Sequence, residues 1–231
     1  MAQTLLDALA LLGDLQHDLL AIVLLSVTVS GLAVVFATLI GLPLGAWVAV
    51  SRFCGRSAAI VALNSMMGLP SVVVGVVVYL ALSRTGPLGT LGLLFTPSAM
   101  VIAQTLLTAP LIAALTRQIV EDAWRGYAIE LRLMRYSRWH SMSLLLYDCR
   151  YSLLVAVLAG LGRAMSEVGA VMIVGGNIYG FTRVMTTTIA LETSKGDLPL
   201  AIALGVVLMT VVVGLNSSAL VLSRWAMRRY G

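Results

Sequence analysis

The sequence contains very little charge. Of its 231 residues, 11% are charged and 60% are hydrophobic, whereas about a quarter of the residues in a soluble chain are charged. Such a chain cannot cover a water-exposed surface with polar groups. This excludes a large soluble domain, a disordered tail and a nucleic-acid-binding protein, and it predicts an integral membrane protein.

Cysteine and histidine are also scarce. Cys54 and Cys149 stand 95 positions apart without any CxxC pair, and His17 and His140 are isolated from one another. These spacings favour neither a disulfide framework nor a zinc site, and an isolated histidine is more often structural than a ligand. We therefore predict no metal site and no redox chemistry in this chain.

Lysine is nearly absent, which bears on nucleotide binding. A P-loop needs glycines that let the backbone approach phosphate, and a lysine at the end of the motif. The one lysine, Lys195, lies in Thr-Ser-Lys-Gly-Asp, and no such loop precedes it. We expect no cofactor in this chain, so any energy from ATP must come from another subunit.

Long hydrophobic runs are abundant. A helix that crosses a hydrocarbon core of about 30 Å needs about 20 apolar residues. Five stretches qualify, at approximately 20–50, 57–83, 98–117, 151–175 and 198–223. The first contains Pro43 and is long enough to predict a tilt or a kink. The third is interrupted by Gln104 and Pro110, which favours a position inside a bundle. The sequence predicts an all-α polytopic protein with a single transmembrane domain over residues 1–231.

The segment before the first span is acidic. Asp7, Asp14 and Asp18 fall on one side of a helical wheel, so residues 3–18 read as an amphipathic helix on the membrane surface. The alternative is an acidic, loosely ordered leader. The segment has no basic n-region and Asp7 breaks its apolar run, so we predict no signal peptide.

Positive charge is distributed unevenly. With the N-terminus outside, five crossings place residues 51–56, 118–150 and 224–231 in the cytoplasm. These segments, with Arg117 at their border, carry eleven of the fifteen cations. Because cytoplasmic loops are enriched in Arg and Lys, we predict an external N-terminus and a cytoplasmic C-terminus, with a sixth crossing as the open alternative.

The segment 118–150 is the first candidate site. Arg132, Arg135 and Arg138 recur every three residues with apolar residues between them, which indicates an amphipathic helix. One interpretation is a docking element for a cytoplasmic partner, whose groove receives the apolar side. The other is an interfacial helix whose arginines meet lipid phosphates.

The fourth span carries the second candidate site. Ionisable residues at membrane depth are costly unless they are paired or hydrated, and Arg163 and Glu167 are spaced to pair on one helix face. That pair could be a static packing element or part of a transport pathway. The small residues Gly162, Ser166 and Ala170 would let another backbone approach closely.

Hydroxyl groups are concentrated after this span. Hydroxyl, amide and backbone N–H donors suit the passage of an oxyanion, although an external loop with ordinary turn chemistry has a similar composition. The pathway candidates are Arg163, Ser166, Glu167, Gly175, Gly176, Asn177 and Thr187.

At these residues a family resemblance becomes specific. The order of spans, the long cytoplasmic helical loop and Gly196-Asp-Leu-Pro199 resemble the permease subunits of type I ABC importers. Three motifs resemble the tungstate permeases, relatives of the molybdate permeases, over residues 5–225. They are Gly68-Leu-Pro-Ser-Val-Val-Val-Gly75, Ser83-Arg-Thr-Gly-Pro87 and Ser166-Glu-Val-Gly-Ala-Val-Met-Ile-Val-Gly-Gly-Asn-Ile178.

The resemblance extends to a coupling motif of the form Glu-Ala-Ala, followed after three positions by Gly, which seats in a cleft of the ATPase. It aligns Ile129 with the motif's Glu and Arg135 with its Gly, so this copy departs from the pattern. The acid Glu130 is displaced by one place. The implied coupling residues are Ile129, Glu130, Leu131, Arg132, Arg135, Ser137, Arg138 and Trp139.

The resemblance also implies the assembly. It implies the type I permease fold, with a coupling helix, in a homodimer of this subunit in the cell's inner membrane. Two cytoplasmic ATPases would bind ATP and Mg, and an external binding protein would deliver the oxyanion, so that this chain itself holds no catalytic site. Tungstate is the anion implied. The alternatives are a molybdate, sulfate or phosphate permease of the same fold, or a non-transporting membrane scaffold.

Overall fold

The computed structural model describes the backbone of residues 16–230 and the side chains of residues 20–131, 133–218 and 220–221. Within this range the chain is helical and contains no strand, which confirms the all-α prediction. Residues 3–15 of the predicted surface helix lie outside the described part. The α-helices in it are α1 (Gln16–Val50), α2 (Arg56–Met67), α3 (Ser71–Leu82), α4 (Pro97–Leu133), α5 (Arg138–Asp148), α6 (Arg150–Met165), α7 (Gly169–Gly175), α8 (Met185–Lys195) and α9 (Leu198–Tyr230).

Three helices in the described part of the chain are long and apolar enough to cross a membrane alone. Their candidate spans are Leu20–Val50, Pro97–Leu131 and Leu198–Ser218. In the most apolar stretch of each helix, 67% of the residues are buried in α4, against 33% in α1 and 17% in α9. This is expected from the polar residues that interrupt the third span. With 37 residues, α4 is about 55 Å long at 1.5 Å per residue. It therefore extends well beyond a hydrocarbon core of about 30 Å.

Two further candidate spans are bent pairs of helices. The axes of α2 and α3 differ by 98°, and those of α5 and α6 differ by 77°. The predicted span 57–83 is therefore two helices. Pro70, which has extended backbone angles, lies between them. Proline also disfavours helical geometry in the residue before it, here Leu69. If each bent pair counts as one span, the described residues hold up to five spans.

The predicted span 151–175 is also interrupted. Helix α6 ends at Met165 and α7 begins at Gly169, so Ser166, Glu167 and Val168 form a break within it. By contrast, α1 continues through Pro43 to Val50.

The described chain divides into two compact units. Residues 16–33, 70–104 and 162–217 form the first unit, and residues 34–69, 105–161 and 218–230 form the second. The single transmembrane domain expected from the sequence stays a prediction.

In the second unit, glycines bring α1 and α6 against α4. A Cβ atom on Gly45 would overlap the carbonyl oxygen of Ala113, and one on Gly41 would lie 3.0 Å from that of Ala109. From α6, a Cβ on Gly160 would lie 2.9 Å from the Ile112 side chain. The Gly41-x-x-x-Gly45 spacing is the small-residue pattern of close helix packing in membranes. The spacing is readable in the sequence, whose Pro43 predicted a tilt or a kink of this span.

In the first unit, α3 packs along α7. A Cβ atom on Gly75 would lie 2.8 Å from the Cα of Ala170, and one on Gly169 would lie 2.8 Å from the Val72 side chain. The loop before α4 joins this packing through the Phe95 N–H, which donates to the Val174 carbonyl at 3.0 Å. The helix of the longest family motif, α7, therefore packs closely against α3, which begins in the Gly68–Gly75 motif.

We expect Gly45→Ala to destabilise the protein by about 1–3 kcal/mol, because the added methyl group must displace the α4 backbone. Gly31→Ala is the matched control in the same helix, since nothing lies within 4 Å of a Cβ there. That change should be neutral or stabilise by up to about 1 kcal/mol through helix propensity. Thermal unfolding of both variants in detergent would measure the difference, and equal stabilities would contradict the packing described.

Candidate functional site

The turn between α4 and α5 has a defined backbone shape. The Tyr136 N–H donates to the Leu131 carbonyl at 3.1 Å, and Arg135 has a φ of 54°. This is a Schellman helix end, in which glycine usually occupies the left-handed position. Arg135 is the residue that the resemblance aligns with the glycine of the coupling motif. The chain therefore keeps the backbone conformation typical of glycine there while presenting a guanidinium group.

The surface around this turn exposes large apolar side chains. Ile129, Leu133 and Trp139 are 73%, 78% and 70% exposed, and Met134 and Tyr136 are exposed as well. These five residues, together with the exposed Arg135 and Arg138, are called the turn surface below.

Two other predicted coupling residues make contacts within the chain. Leu131 is buried and lines a cavity of about 320 Å³ with Arg138 and Tyr136. Ser137 caps α5, because its Oγ accepts a hydrogen bond from the His140 N–H at 3.3 Å. Glu130 is exposed beside them, and Arg132 lies in the last turn of α4. Leu131 is therefore not available to a partner.

A cluster of ion pairs around Glu121 joins α4 to α2. The Glu121 carboxylate accepts from Arg117 and Arg56, and the Arg56 contact measures 3.2 Å. Arg56 also donates through Nε to the Val48 carbonyl at 2.9 Å, so this one side chain joins the end of α1 to α4. Sequence reasoning missed the cluster. The spacing of Glu121, four residues from both Arg117 and Arg125, was the signal for it.

The break between α6 and α7 is satisfied from inside the protein. Glu167 is 7% exposed, and its Oε1 accepts a hydrogen bond from the Ala170 N–H at 3.1 Å. Its carbonyl accepts from the Thr186 hydroxyl at 2.9 Å. Glu167 thus caps the start of α7 and ties the break to α8.

The expected Arg163–Glu167 pair is not formed. Arg163 is exposed, and no ion pair within 4 Å joins it to Glu167 among the described side chains. The i,i+4 geometry requires a continuous helix, but α6 ends at Met165, between the two residues. Ser166 is also exposed, and its Oγ donates to the Arg163 carbonyl at 3.1 Å.

The Ala164 carbonyl near the end of α6 accepts a hydrogen bond from the Glu167 N–H at 3.3 Å, and side chains from α4 and α1 also engage it. Nε2 of the buried Gln104 donates to the Ala164 carbonyl at 3.1 Å, and the Ser30 hydroxyl lies 3.5 Å from the same oxygen. In the sequence, Gln104 stood out only as an interruption of the third span. It adds a second hydrogen bond to this backbone carbonyl in the protein interior.

The remaining pathway candidates shape the chain after α7. Gly176 and Asn177 have φ values of 71° and 49°, so they turn the chain. A Cβ on Gly175 would lie 2.9 Å from the Met100 sulfur. Thr187 is buried, and its hydroxyl donates to the Val184 carbonyl at 3.0 Å while accepting from the Val184 N–H at 3.1 Å. The Thr187 hydroxyl thus forms hydrogen bonds at the start of α8, and its proton is already donated there.

These features define a multi-pass helical membrane protein with a turn surface of exposed apolar and basic residues.

No family model matches the chain. The chain is 42% identical over 212 residues to the tungstate uptake system permease protein TupB of Peptoclostridium acidaminophilum, covering 91% of this chain and 92% of that protein. It is 41% identical over 216 residues to a probable anion ABC transporter permease protein of Haloferax volcanii, covering 89% and 91%. A more distant relative, at 27% identity over 184 residues, is the molybdenum transport system permease protein ModB of Azotobacter vinelandii, covering 75% and 80%. The chain belongs to the family of these proteins, the permease subunits of ABC-type anion transporters.

We expect a double-mutant cycle on Arg163→Gln and Glu167→Gln to give a coupling free energy below about 0.5 kcal/mol, because the two side chains do not interact. Glu167→Ala alone should cost about 1–2 kcal/mol by removing the cap of α7, and Arg163→Gln alone should be nearly neutral. Thermal unfolding of the four variants would measure these values. A coupling free energy of about 1 kcal/mol or more would contradict the description of Arg163 and Glu167 as not interacting.

Arg135→Gly should be more stable than Arg135→Ala by about 1 kcal/mol, because a left-handed conformation costs an L-residue with a Cβ about that much. Thermal unfolding in detergent compares the two variants directly. Leu133→Gly and Leu133→Ala form the matched control pair, two residues away in helical backbone, where the order should be reversed. A lower stability for Arg135→Gly would contradict the Schellman geometry.

Proposed function

We propose that this chain is the transmembrane subunit of an ATP-driven importer that carries tungstate into the cell. The observation that supports this most strongly is 42% identity to a tungstate uptake permease over nine-tenths of both chains. Molybdate and sulfate are the alternative cargoes, because relatives at 27% identity are permeases of molybdenum and sulfate transport systems. Phosphate remains an alternative by the resemblance alone.

In this proposal the subunit works as a homodimer in the inner membrane. Its N-terminus is external and its C-terminus cytoplasmic, which agrees with the concentration of arginine in residues 51–56, 118–150 and 224–231. An external binding protein delivers the anion. Because all tetrahedral oxyanions of this kind have similar shape and charge, selectivity rests mainly in that binding protein.

The turn surface is the proposed contact with two cytoplasmic ATPase subunits, which bind ATP and Mg. Three chemical features support this. Several large apolar side chains are exposed together, which is typical of an interaction surface. The arginines are able to form directional charged hydrogen bonds with a partner. Arg135 has the left-handed conformation and aligns with the glycine of the coupling motif. Leu131 supports the turn from inside, and the exposed Ser137 supports it by capping α5.

The proposed relay runs through α4. ATP binding brings the ATPase subunits together, and the turn surface moves with them. Helix α4 is continuous from Pro97 to Leu133, and the Glu121 cluster fastens it to α1 and α2 through Arg56. A movement at the turn therefore reaches the membrane segment without a flexible joint. The partner biases a protein that has an inward-facing and an outward-facing state.

For the translocation pathway, Arg163 and Ser166 are the stronger of the original candidates. Both side chains are exposed, so they are able to contact a passing anion. Gly175, Gly176, Asn177 and Thr187 support the pathway by packing and turn geometry, and Glu167 supports it by capping α7. A single exposed guanidinium attracts an anion without the multiple contacts that would trap it.

Charge reversal tests the ATPase contact. We expect Arg132→Glu, Arg135→Glu and Arg138→Glu together to reduce the co-purifying ATPase subunit at least about tenfold, because like charges across an interface repel. Arg84→Glu, an exposed arginine outside the turn surface, is the matched control and should leave assembly unchanged. Size-exclusion chromatography checks that each variant is folded. Unchanged assembly and ATPase stimulation in the triple variant would contradict the proposal.

A further inference from the structure

A small cavity lies beside the end of α6, within the first compact unit. Ser30 of α1, Gln104 of α4, Met165 of α6, and Met185 and Thr186 of α8 are among the residues that line it. About 10 Å³ of it is open to the centre of a water molecule, which is close to the space that a single water needs. The cavity therefore has room for one water and excludes a tetrahedral oxyanion. These five residues and the space between them are called the break cavity below.

The side-chain amide of Gln104 is only half satisfied by the protein. The residue is 3% exposed and lies in the candidate span Pro97–Leu131. Its Nε2 donates to the Ala164 carbonyl at 3.1 Å, which fixes the orientation of the amide, because a flipped amide would place two acceptor oxygens together. Its Oε1 accepts no hydrogen bond from any residue that the structure describes. A buried acceptor without a donor is costly, and bulk water does not reach this depth in a membrane.

Two hydroxyl groups of the break cavity supply the other contacts that a water needs. The Ser30 hydroxyl lies 3.5 Å from the Ala164 carbonyl, at the outer limit of a hydrogen bond. That carbonyl already accepts from Gln104 and from the Glu167 N–H, so the Ser30 proton is better used by a nearer acceptor. Thr186 donates its proton to the Glu167 carbonyl at 2.9 Å, which leaves its oxygen as an acceptor. One donor and two acceptors are thus present, and about three partners are typical of a buried water.

This combination of size and chemistry selects one ligand. We propose that the break cavity binds a single structural water, which donates to Gln104 Oε1 and Thr186 Oγ1 and accepts from the Ser30 hydroxyl. A hard cation takes about six or more oxygen ligands, which these three side chains do not supply. The bound water joins α1, α4 and α8 beside the break. The site goes beyond the proposed transport function, because none of its residues belongs to the turn surface or to the proposed contacts with the anion.

X-ray radiolysis of the purified full-length chain, followed by mass spectrometry, tests the site. X-rays split water into hydroxyl radicals, which oxidise methionine to its sulfoxide, and a buried methionine is reached only where a water lies beside it. Met165 and Met185 line the break cavity and are 4% and 0% exposed. Met100 is also 0% exposed but does not line this cavity, so it is the matched control. Met165 and Met185 should be oxidised at least about tenfold faster than Met100, because a bound water produces the radical in place.

Two variants assign the water to its partners. Gln104→Leu keeps the approximate size of the side chain and removes the acceptor, so oxidation of Met165 and Met185 should fall at least about fivefold. Ser30→Ala removes the donor with the least change of volume and should lower the oxidation about twofold or more, since a buried water with fewer partners is bound less tightly. Met134, which is 69% exposed, should be oxidised at the same rate in all three proteins. Size-exclusion chromatography checks that each variant is folded.

Two results would overturn the proposal. If the wild type oxidised Met165 and Met185 as slowly as Met100, the cavity would be dry or would hold a cation, because neither produces a hydroxyl radical there. If the wild type, Gln104→Leu and Ser30→Ala oxidised these methionines at equal rates, the water would not depend on the two side chains. The measurement uses this chain without an ATPase, a binding protein or an anion, so its outcome is separate from the test of transport.

Discussion

The structure depends on a constraint that the bilayer imposes: a backbone N–H or carbonyl that leaves a helix inside the membrane must find its partner within the protein. The break between α6 and α7 meets this requirement through three side chains. Gln104 donates to the Ala164 carbonyl, Glu167 accepts from the Ala170 N–H, and Thr186 donates to the Glu167 carbonyl. Glu167 belongs to the Ser166–Ile178 motif, and the Ala164 carbonyl also accepts from the Glu167 N–H, so the irregular backbone at the break is hydrogen-bonded within the protein.

Close packing of backbones is the second requirement, because lipid offers no hydrophobic drive for helices to associate. Gly41, Gly45 and Gly160 bring α1 and α6 against α4, and Gly75 and Gly169 bring α3 against α7. Helix α4 is thereby held between α1 and α6 around Ala109 and Ala113, and the ion pairs of Glu121 with Arg117 and Arg56 hold it again further along. A helix held at both levels is suited to carry a displacement from a cytoplasmic partner into the membrane, as the proposed mechanism requires.

Composition and hydrophobic run length were sufficient to predict an all-α, multi-pass chain and a helical region after the third span. They did not reveal that 57–83 is two helices at 98° or that 151–175 is broken. A hydropathy run measures only apolar content, which a broken helix satisfies as well as a continuous one. The Arg163–Glu167 pair failed for the same reason, since i,i+4 spacing has meaning only within one helix. The close packing at Gly41 and Gly45 could be predicted from the spacing of these glycines. The left-handed conformation of Arg135 could be predicted only from its alignment with the glycine of the coupling motif.

The central claim is that this chain carries an oxyanion under the control of ATP hydrolysed elsewhere. The most direct test is uptake of radiolabelled tungstate into proteoliposomes that contain this subunit, its ATPase and its external binding protein. Tungstate should accumulate only when ATP, the ATPase and the binding protein are all present. Accumulation without the ATPase, or no accumulation of tungstate, molybdate or sulfate by the complete complex, would contradict it.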